Sequence, residues 1–535
     1  MSSAGAAPTQ RGAMLAAMAQ GGPYDIAIVG GGATGLGVAL DAAVRGFRVA
    51  LVESHDFAKG TSSRATKLVH GGVRYLAQGN VALVREALHE RTRLLRNAPH
   101  LAQPLSFVMP TYALWEQPFY GIGLKMYDAL AGREGLGPTQ FLSAERTVQL
   151  LPNVRPSGLR GGVHYWDGQF NDARLALALA RTAALHGARL ANYVRADRLL
   201  YDAGRVAGIE CTDMETKASL RLQARCVINA TGVWVDGLRQ ADAEAQGRAM
   251  KPMVAPSQGV HVVVDADFLP GAHALMVPKT ADGRVLFGVP WLGKVILGTT
   301  DTPRDDVPRE PRPFAEEIEF ILGEAGKYLA RAPGLRDLRS IWVGLRPLVK
   351  PLGDDGEDTK GLSREHTVLV SKSGLVTVTG GKWTTYRAMA EDVLSRCERA
   401  RLIDSKGKRA AGGTLALRLV GSPTAGTGVG IERAPGWHSY GSEAAAVQAL
   451  PGAERSLDGG LTESMVRFAV RHEYARTVED ILARRSRLLF LDAAQAARLA
   501  PAVARLLENE GIAQAGLDEF LTLARLYQAP FAQAA

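Results

Sequence analysis

The hydrophobic and polar positions near the start of the chain predict a strand, a tight turn, a helix and a second strand. Tyr24 to Val29 form a short apolar run that leads directly into Gly-Gly-Gly-Ala-Thr-Gly at 30–35. The next positions suit a helix through about Arg45, and a second apolar run, Val49 to Val52, ends at Glu53. This order of elements is typical of a dinucleotide-binding βαβ unit.

Three glycines of this turn have separate physical roles. Gly30 allows the sharp turn, Gly32 lets backbone N–H groups approach a pyrophosphate, and Gly35 lets the helix pack closely on the sheet. Thr34 lies in the same turn, where the helix N-terminus offers partial positive charge to phosphates. Glu53 lies 18 residues after Gly35, near the roughly 20-residue spacing expected of a carboxylate that binds an adenosine ribose. The alternative is a structural glycine turn without a ligand.

Further strands indicate a doubly wound domain. Strand and helix patterns alternate across residues 24–100, which favours a parallel sheet with a cofactor at the strand C-termini. Two later strands, Arg225 to Ala230 and Leu375 to Thr379, each lead into a glycine turn. We predict that both return the chain to the nucleotide-binding sheet.

Two other regions predict a separate layer. Residues 104–130 carry aromatic side chains among prolines and glycines, and residues 252–303 carry short β-rich runs. We therefore predict a substrate domain, roughly 100–165 and 252–350, that is interleaved with the nucleotide-binding domain and covers the cofactor.

Composition and helical spacing assign the rest of the chain. Residues 1–22, rich in Ala, Gly and Met, predict a flexible tail, and the nucleotide-binding domain spans 23–403. Residues 404–430 lack clear periodicity and predict a linker. Residues 431–535 predict an all-α domain, because apolar side chains recur at helical spacing at Val466, Val470, Tyr474, Val478, Ile481 and Leu482.

Composition and charge narrow the function classes. With 535 residues, 46% of them hydrophobic, the chain can build two or three cores, which excludes disordered and fibrous proteins. A net charge of +9 and a pI near 9.4 indicate an acidic partner: nucleic acid, anionic lipid or a phosphorylated metabolite. The sequence has no basic stretch with interleaved aromatic residues, which is the pattern that would favour nucleic acid as the partner. We expect neither a membrane-spanning segment nor a secretory signal.

The cysteines exclude two kinds of site. Cys211, Cys226 and Cys397 lack metal-ligand spacing, so we expect no metal and no disulfide framework. We expect a reducing compartment, with the three thiols buried as small hydrophobes.

A mixed polar motif follows the second strand. Residues 61–76 combine hydroxyls, a lysine, a histidine, paired glycines and an arginine. Gly71 and Gly72 would let the backbone approach a flat ring, and Arg74 could direct a guanidinium at an anionic substrate. The alternative is a polar loop that caps the next helix.

A second glycine turn, Gly380-Gly381-Lys382-Trp383-Thr384-Thr385, opens a helix after a strand. Its backbone N–H groups and positive dipole suit an anionic reduced flavin or a phosphate. The alternative is ordinary capping by Thr384.

These motifs together resemble those of the FAD-dependent, membrane-associated glycerol-3-phosphate dehydrogenases, within the wider D-amino-acid-oxidase-like flavoproteins. The likeness covers nearly all of residues 24–400 and extends into the C-terminal domain. Trp383 departs from it, because the resemblance implies a smaller apolar residue at that position. The matching stretches are GGGATGLG (30–37), TSSRATKLVHGGVRYL (61–76), APHL (98–101), INATGVWV (228–235), ILGTTD (296–301), VGLRPL (343–348), SREH (363–366), GGKWTTYR (380–387) and HEYARTVEDILARRSRLLFL (472–491).

The resemblance implies the substrate-binding residues. It assigns the substrate phosphate to Arg74, Tyr75, Arg346 and Arg364, with Lys382 beside them near the flavin. Guanidinium groups suit this role independently, because they bind a phosphate bidentately in a fixed geometry.

The resemblance also implies the catalytic and cofactor-binding residues. His261 resembles the histidine that the family places over the flavin and is our candidate general base, with Lys382 and His70 as rivals. Arg346 and Lys382 complete the candidate catalytic set. The candidate cofactor-binding residues are Gly30, Gly32, Thr34, Gly35, Glu53, Thr61, Ser62, Ser63, Lys67, His70, Gly71, Gly72, Ala230, Thr231, Gly232, Gly381, Lys382, Thr384 and Thr385.

The implied fold is α/β, with a Rossmann-like FAD-binding domain, an inserted β-rich substrate domain and a C-terminal all-α domain. The implied activity is oxidation of sn-glycerol 3-phosphate to dihydroxyacetone phosphate, with hydride transfer to N5 of non-covalent FAD and electrons passed to a membrane quinone. Two alternatives stay open: a glycerol-phosphate oxidase that makes peroxide, and a catalytically idle, basic flavoprotein adaptor.

The same resemblance implies a peripheral protein on the cytoplasmic side of the inner membrane, bound to an anionic lipid surface. Arg484, Arg485 and Arg487, followed by the apolar run 488–490, offer one candidate contact. The alternative is that these apolar residues pack against the flavin domain and the arginines are solvated. The oligomeric state is open, a homodimer included.

Overall fold

The computed structural model describes residues 11–72, 80–350, 366–424 and 428–528. The strands are β1 (Tyr24–Val29), β2 (Val49–Val52), β3 (Leu68–Val69), β4 (Ala102–Thr111), β5 (Gln140–Ser143), β6 (Gly161–Phe170), β7 (Arg189–Ala191), β8 (Val194–Asp202), β9 (Arg205–Asp213), β10 (Ser219–Asn229), β11 (Val254–Asp265), β12 (Ala274–Val277), β13 (Leu286–Trp291), β14 (Lys294–Gly298), β15 (Thr302–Pro303), β16 (Ser340–Val349), β17 (His366–Val370), β18 (Val376–Gly380), β19 (Ser456–Asp458) and β20 (Leu461–Thr462). The α-helices are α1 (Arg11–Gln20), α2 (Ala33–Arg45), α3 (Val81–Asn97), α4 (Glu116–Ala131), α5 (Ala144–Leu150), α6 (Asp172–Leu185), α7 (Val235–Ala245), α8 (Ala315–Tyr328), α9 (Tyr386–Arg399), α10 (Ala444–Gln448), α11 (Glu463–His472), α12 (Leu488–Leu491), α13 (Ala493–Asn509) and α14 (Leu517–Tyr527).

The first sheet is built around β1, whose apolar residues are buried on both faces, as a covered parallel sheet requires. β1 pairs in parallel with β10 and β2, and the sheet continues in parallel to β18 on one side and β7 on the other. β17 is an antiparallel edge strand, and β8 and β9 extend from β10. Helix α2 packs between α9 and α6 against this sheet. The predicted doubly wound domain is confirmed, and Cys211, Cys226 and Cys397 are buried thiols as expected.

The second sheet joins the two regions that were predicted to form the substrate domain. Its strand order is β15-β11-β14-β13-β12-β4-β6-β3, with β16 paired to β11 and β5 paired to β6. Ala274 and Leu275 of β12 lie beside Phe107 and Val108 of β4, so chain segments far apart in sequence share one sheet. The two sheets face each other across the cavity described below.

The C-terminal domain is mainly helical, with one short β19–β20 hairpin. The predicted apolar stripe is buried but does not follow one helix. Helix α11 ends at His472, Tyr474 has a positive φ of 61°, and Asp480–Arg485 form a π-helical turn. Val466, Val478, Ile481 and Leu482 share a core with Trp342 and Val263 of the second sheet, whereas Tyr474 packs edge-on against Phe57 of the nucleotide-binding domain.

The predicted tail and linker differ from expectation where they are described. Residues 11–20 form helix α1, in which Met18 is buried and its carbonyl accepts a hydrogen bond from Tyr24 Oη at 3.0 Å. Residues 404–424 are irregular but packed on the nucleotide-binding domain, since Lys408 Nζ lies 3.2 Å from Asp25 and Asn97 Nδ2 donates to Thr414 O at 3.3 Å. Residues 404–424, which the sequence predicted to be a linker, are therefore held against the nucleotide-binding domain by side-chain contacts.

The proposed membrane contact at Arg484, Arg485 and Arg487 is wrong for a structural reason. All three side chains are buried, and Leu488 to Phe490 are buried with them. Arg484 and Arg485 both pair with the carboxylate of Asp56, which is itself fully buried in the nucleotide-binding domain. The alternative expected these apolar residues to be packed inside the protein, and they are. It also expected solvated arginines, whereas the arginines form an ion-pair cluster between the two domains.

Candidate active site

A cavity of about 970 Å³ lies between the two sheets, at the upper end of the roughly 300–1,000 Å³ range of small-molecule sites. The glycine turn after β1 and the ends of β2, β10 and β18 form one side, and β11, β16 and the 299–301 segment form the other. The parallel strands contribute their carboxyl ends, as doubly wound sheets do at a ligand site. Both predicted glycine motifs therefore open into one space.

The first glycine turn has the close contacts that its sequence predicts. Gly30 has φ +114°, and a Cβ there would lie 2.5 Å from the carbonyl oxygen of Ala230. A Cβ on Gly35 would overlap the carbonyl of Gly30. Glu53 Oε2 accepts a hydrogen bond from Gly31 N at 2.7 Å and lines the cavity beside the turn. The residues present fit a dinucleotide whose pyrophosphate approaches backbone N–H groups at the start of α2.

The second glycine turn joins this site to the 61–72 segment. Gly380 and Gly381 have φ values of +80° and +76°, which L side chains rarely adopt. Trp383 Nε1 donates a hydrogen bond to Ser62 O at 2.8 Å. The unexpected indole therefore links the 380–385 turn to the 61–72 segment. Thr384 Oγ1 accepts from the backbone N–H of His70 at 3.3 Å. The turn therefore has a structural contact as well as a cavity-facing surface.

His261 lies on β11 with its ring stacked on Trp342, at 4.1 Å between centroids. Only 2% of the residue is exposed, and its Nε2 lies 2.9 Å from Thr66 Oγ1. Burial holds the pKa of His261 well below its usual 6.5, and the positive charges of Lys67 and Arg346 lower it further. The imidazole is therefore neutral at physiological pH.

Arg346 lies on β16 with its guanidinium fixed at the cavity wall. Nη1 donates to Gln258 O and Asp301 Oδ1, both at 3.1 Å, and Nη2 donates to Thr300 O at 2.8 Å and Thr299 Oγ1 at 3.2 Å. Its side chain is 21% exposed. The arrangement presents a positioned cation at the same wall as His261.

Lys67 is placed differently from the prediction. Its Nζ is fully buried behind the wall, 2.6 Å from Asp172 Oδ2 and 2.8 Å from Ser63 O. It also lies 4.5 Å from the centroid of the Trp342 ring. Burial lowers the pKa of Lys67 to about 7, against the opposing effect of the Asp172 carboxylate. Lys67 supports the wall and does not line the cavity.

The other candidates divide into three groups. The cavity is lined by the candidates Gly30, Gly32, Thr34, Glu53, Thr61, Ser62, His70, Gly72, Ala230, Thr231, Gly232, His261, Arg346, Gly381, Lys382 and Thr384. Gly35, Ser63, Gly71 and Thr385 lie behind the wall with Lys67. Arg74, Tyr75 and Arg364 lie outside the described residues, and their roles stay predictions.

Several cavity-lining residues received no role from the sequence. Thr299 and Asp301 hold Arg346, and Thr66 contacts His261. Trp234 Nε1 donates to Val307 O at 2.8 Å, and the Arg309 guanidinium lies 4.1 Å above the Trp234 ring. Thr66, Trp234, Thr299 and Asp301 lie inside motif stretches quoted above, whereas Arg309 does not. The sequence therefore marked these four residues, but it did not show which side chains they contact.

Comparison with known proteins agrees with this geometry. Residues 25–387 match the model of the FAD dependent oxidoreductase family, and residues 433–511 match the C-terminal domain of alpha-glycerophosphate oxidase. The chain is 39% identical to the mitochondrial glycerol-3-phosphate dehydrogenase of Homo sapiens, over 94% of this chain and 72% of that protein. It is 36% identical to the mitochondrial enzyme of Schizosaccharomyces pombe, over 98% of this chain and 90% of that protein.

A solved structure gives the same result. The glycerol-3-phosphate dehydrogenase from Bacillus halodurans, complexed with FAD, superposes with a TM-score of 0.77 at 29% identity, over 98% of this chain and 99% of that one. The predicted fold class and the FAD cofactor are thereby confirmed. The chain belongs to the FAD-dependent oxidoreductases and, among them, to the glycerol-3-phosphate dehydrogenase family.

Proposed function

We propose that the protein oxidises sn-glycerol 3-phosphate to dihydroxyacetone phosphate with FAD as cofactor and passes the electrons to a membrane quinone. The observation that carries this proposal is the convergence of the dinucleotide turn, His261, Arg346 and Lys382 on one cavity. When bound, FAD supplies the hydride acceptor for the substrate C2–H bond. The protein supplies position, charge and a proton acceptor.

The cofactor would be held mainly by backbone. Gly32 and the first residues of α2 line the cavity, where the helix N-terminus favours a pyrophosphate. Glu53 is oriented by the N–H of Gly31 and keeps acceptor capacity for ribose hydroxyls. Gly72 and Gly381 both line the cavity, and a Cβ on Gly381 would lie 2.4 Å from Met389 Sδ, so this glycine lets the turn pack closely on α9.

The substrate phosphate would be held by Arg346 and Lys382. Because Gln258, Thr299, Thr300 and Asp301 already fix the guanidinium, little side-chain freedom is lost when an anion binds. A fixed phosphate at one end of a three-carbon substrate places its C2 hydroxyl within the site and so aligns it for reaction. The neutral ring of His261 on the adjacent strand can then accept the hydroxyl proton.

A peripheral membrane contact is supported by helix α4 instead of by the C-terminal arginines. The apolar residues that it exposes, Phe119, Ile122 and Met126, recur at helical spacing, and Phe119 is 65% exposed. Leu114 and Trp115, which directly precede the helix, extend this exposed face, and Leu114 is 80% exposed. Lys125 and Arg133 lie nearby and are exposed. Aromatic and aliphatic residues flanked by cations suit an interfacial helix on an anionic bilayer. No helix in the described part of the chain has the length and apolar character needed to cross a membrane.

The opposite face of α4 contacts the active-site motif. Tyr127 Oη accepts a hydrogen bond from Gly71 N at 2.8 Å and donates to Asp167 Oδ2 at 2.8 Å. Since a helix is about 10–12 Å across with its side chains, a bilayer on the exposed face would lie within roughly that distance of the 71–72 segment. Such docking would bring a quinone dissolved in the bilayer close to the cavity.

We expect wild-type protein to float with vesicles of anionic phospholipid that contain a long-chain quinone, and to reduce that quinone when glycerol 3-phosphate is added. Phe119→Ser combined with Ile122→Ser should lose both properties but keep glycerol 3-phosphate oxidation with a soluble dye as acceptor. Val370→Ser, at an exposed apolar residue on β17, is the matched control and should behave as wild type. Flotation should weaken with salt, because attraction worth about 1 kcal/mol per cation decays over roughly 8 Å at physiological ionic strength.

Three outcomes would change the proposal. Absence of flotation at every salt concentration would remove the membrane contact. Flotation that is insensitive to salt would replace electrostatic docking with hydrophobic insertion. Turnover with oxygen as fast as with quinone, with one peroxide formed per substrate, would make the protein an oxidase.

A further inference from the structure

One hydroxyl of the cavity wall, that of Thr66, contacts the ring nitrogen of the candidate base. His261 is 2% exposed, whereas Thr66 is half-buried and lines the cavity. Thr66 Oγ1 lies 2.9 Å from His261 Nε2. The hydroxyl therefore occupies the position from which a substrate oxygen would otherwise approach that nitrogen.

The other sides of the imidazole are closed. Trp342 of β16 stacks on its face, and a Cβ on Gly298 of β14 would lie 2.6 Å from its Cδ2. Within the described residues, Nδ1 is buried and has no hydrogen-bond partner. Nε2 is thus the nitrogen that can exchange a proton, and Thr66 is the group in contact with it.

The charged groups around His261 are cationic on two sides. Lys67, paired with Asp172, lies against Trp342 from the 61–72 segment, and Arg346 lies on β16 with Asp301 beside it. Burial is the main cause of the low pKa of His261, and these charges lower that pKa further and so oppose protonation of the ring. A substrate phosphate at Arg346 would offset one of them, so the ring would become a better acceptor when the substrate is present.

We propose that Thr66 is a catalytic residue that relays the C2 hydroxyl proton of the substrate to His261, an inference that rests on the proposed function. As the substrate hydroxyl gives its proton to Thr66 Oγ1, the hydroxyl proton of Thr66 passes to His261 Nε2. The C2–H bond breaks with both its electrons, and the hydride goes to the bound FAD. The substrate oxygen becomes the ketone oxygen, Thr66 ends as a neutral hydroxyl, and His261 ends as imidazolium.

The test compares Thr66→Val, which keeps the shape of the side chain without the hydroxyl, with Thr66→Ser, which keeps the hydroxyl. We expect the valine variant to bind FAD and substrate as wild type does, and its flavin to be reduced about 100-fold more slowly in anaerobic stopped flow, at the lower end of the effect of a positioned proton-transfer group. The serine variant should retain most of the wild-type rate.

A second measurement does not depend on the valine variant folding. In mixtures of H2O and D2O, flavin reduction in wild type and Thr66→Ser should give a curved proton inventory, because two protons move together. A linear inventory in both would overturn the relay, as would an unchanged reduction rate in Thr66→Val. Failure of wild type itself to be reduced by glycerol 3-phosphate would instead remove the proposed function.

Discussion

Arg346→Ala should lower kcat/KM for glycerol 3-phosphate by roughly 30- to 1,000-fold, equivalent to about 2–4 kcal/mol of transition-state stabilisation. The substitution removes a cation that is already fixed in place by Thr299, Thr300 and Asp301. It touches none of the glycines of the dinucleotide turn, so FAD content per polypeptide should stay unchanged. Steady-state kinetics and flavin absorbance measure the two effects separately.

Two controls separate phosphate binding from structural damage. Arg346→Lys should recover only part of the activity, because an ammonium cannot make all the hydrogen bonds that hold the guanidinium in place at the cavity wall. Arg304→Ala removes an arginine that contacts Gln258 at 2.9 Å but does not line the cavity, and it should leave kcat/KM near wild type. Equal kcat/KM for Arg346→Ala and wild type would refute the phosphate assignment.

Asp56→Ala should lower the free energy of unfolding by about 3–5 kcal/mol, the usual cost of removing one partner from a buried ion pair. Asp56 is fully buried and accepts hydrogen bonds from Arg484, from Arg485 and, at 3.1 Å, from Asn192 Nδ2. The variant leaves two buried guanidinium groups short of a carboxylate at the interdomain contact. Denaturant unfolding measures the loss.

The matched control is Asp197→Ala, which removes the carboxylate of the more exposed Arg195–Asp197 pair and should cost at most about 1 kcal/mol. Burial alone would raise the pKa of Asp56, but Arg485 and Arg484 outweigh it and hold the pKa below its usual value. The contribution is therefore fully present above about pH 4 and is lost as the pH falls further. An Asp56→Ala variant as stable as wild type would show that the cluster contributes little.

The sequence predicted the features that short segments determine. The spacing of Gly30, Gly32 and Gly35 specified the turn because each glycine answers a local steric demand. The same holds for Gly380 and Gly381, whose positive φ values restrict the choice of residue. Periodicity alone could not pair β4 with β12, since pairing between distant segments leaves no local pattern.

Side-chain roles were harder to predict where the partner is distant in sequence. Lys67 lies in a motif rich in residues that often bind ligands. Its ion-pair partner, Asp172, is 105 residues away in sequence, and this pair places the Lys67 ammonium behind the cavity wall. Arg484 and Arg485 stand beside apolar residues, as interfacial cations do, yet Asp56 lies 428 and 429 residues away. Thr66 had no visible role because His261 is 195 residues away.

The most direct measurement is the visible spectrum of the purified holoprotein before and after anaerobic addition of glycerol 3-phosphate, without NAD. We expect a yellow protein with an oxidised flavin spectrum that bleaches on addition of this substrate and stays unchanged with glycerol, which lacks the phosphate for Arg346 and Lys382. A colourless protein that takes up no FAD, or a flavin spectrum that glycerol 3-phosphate leaves unchanged, would contradict FAD-dependent oxidation of this substrate.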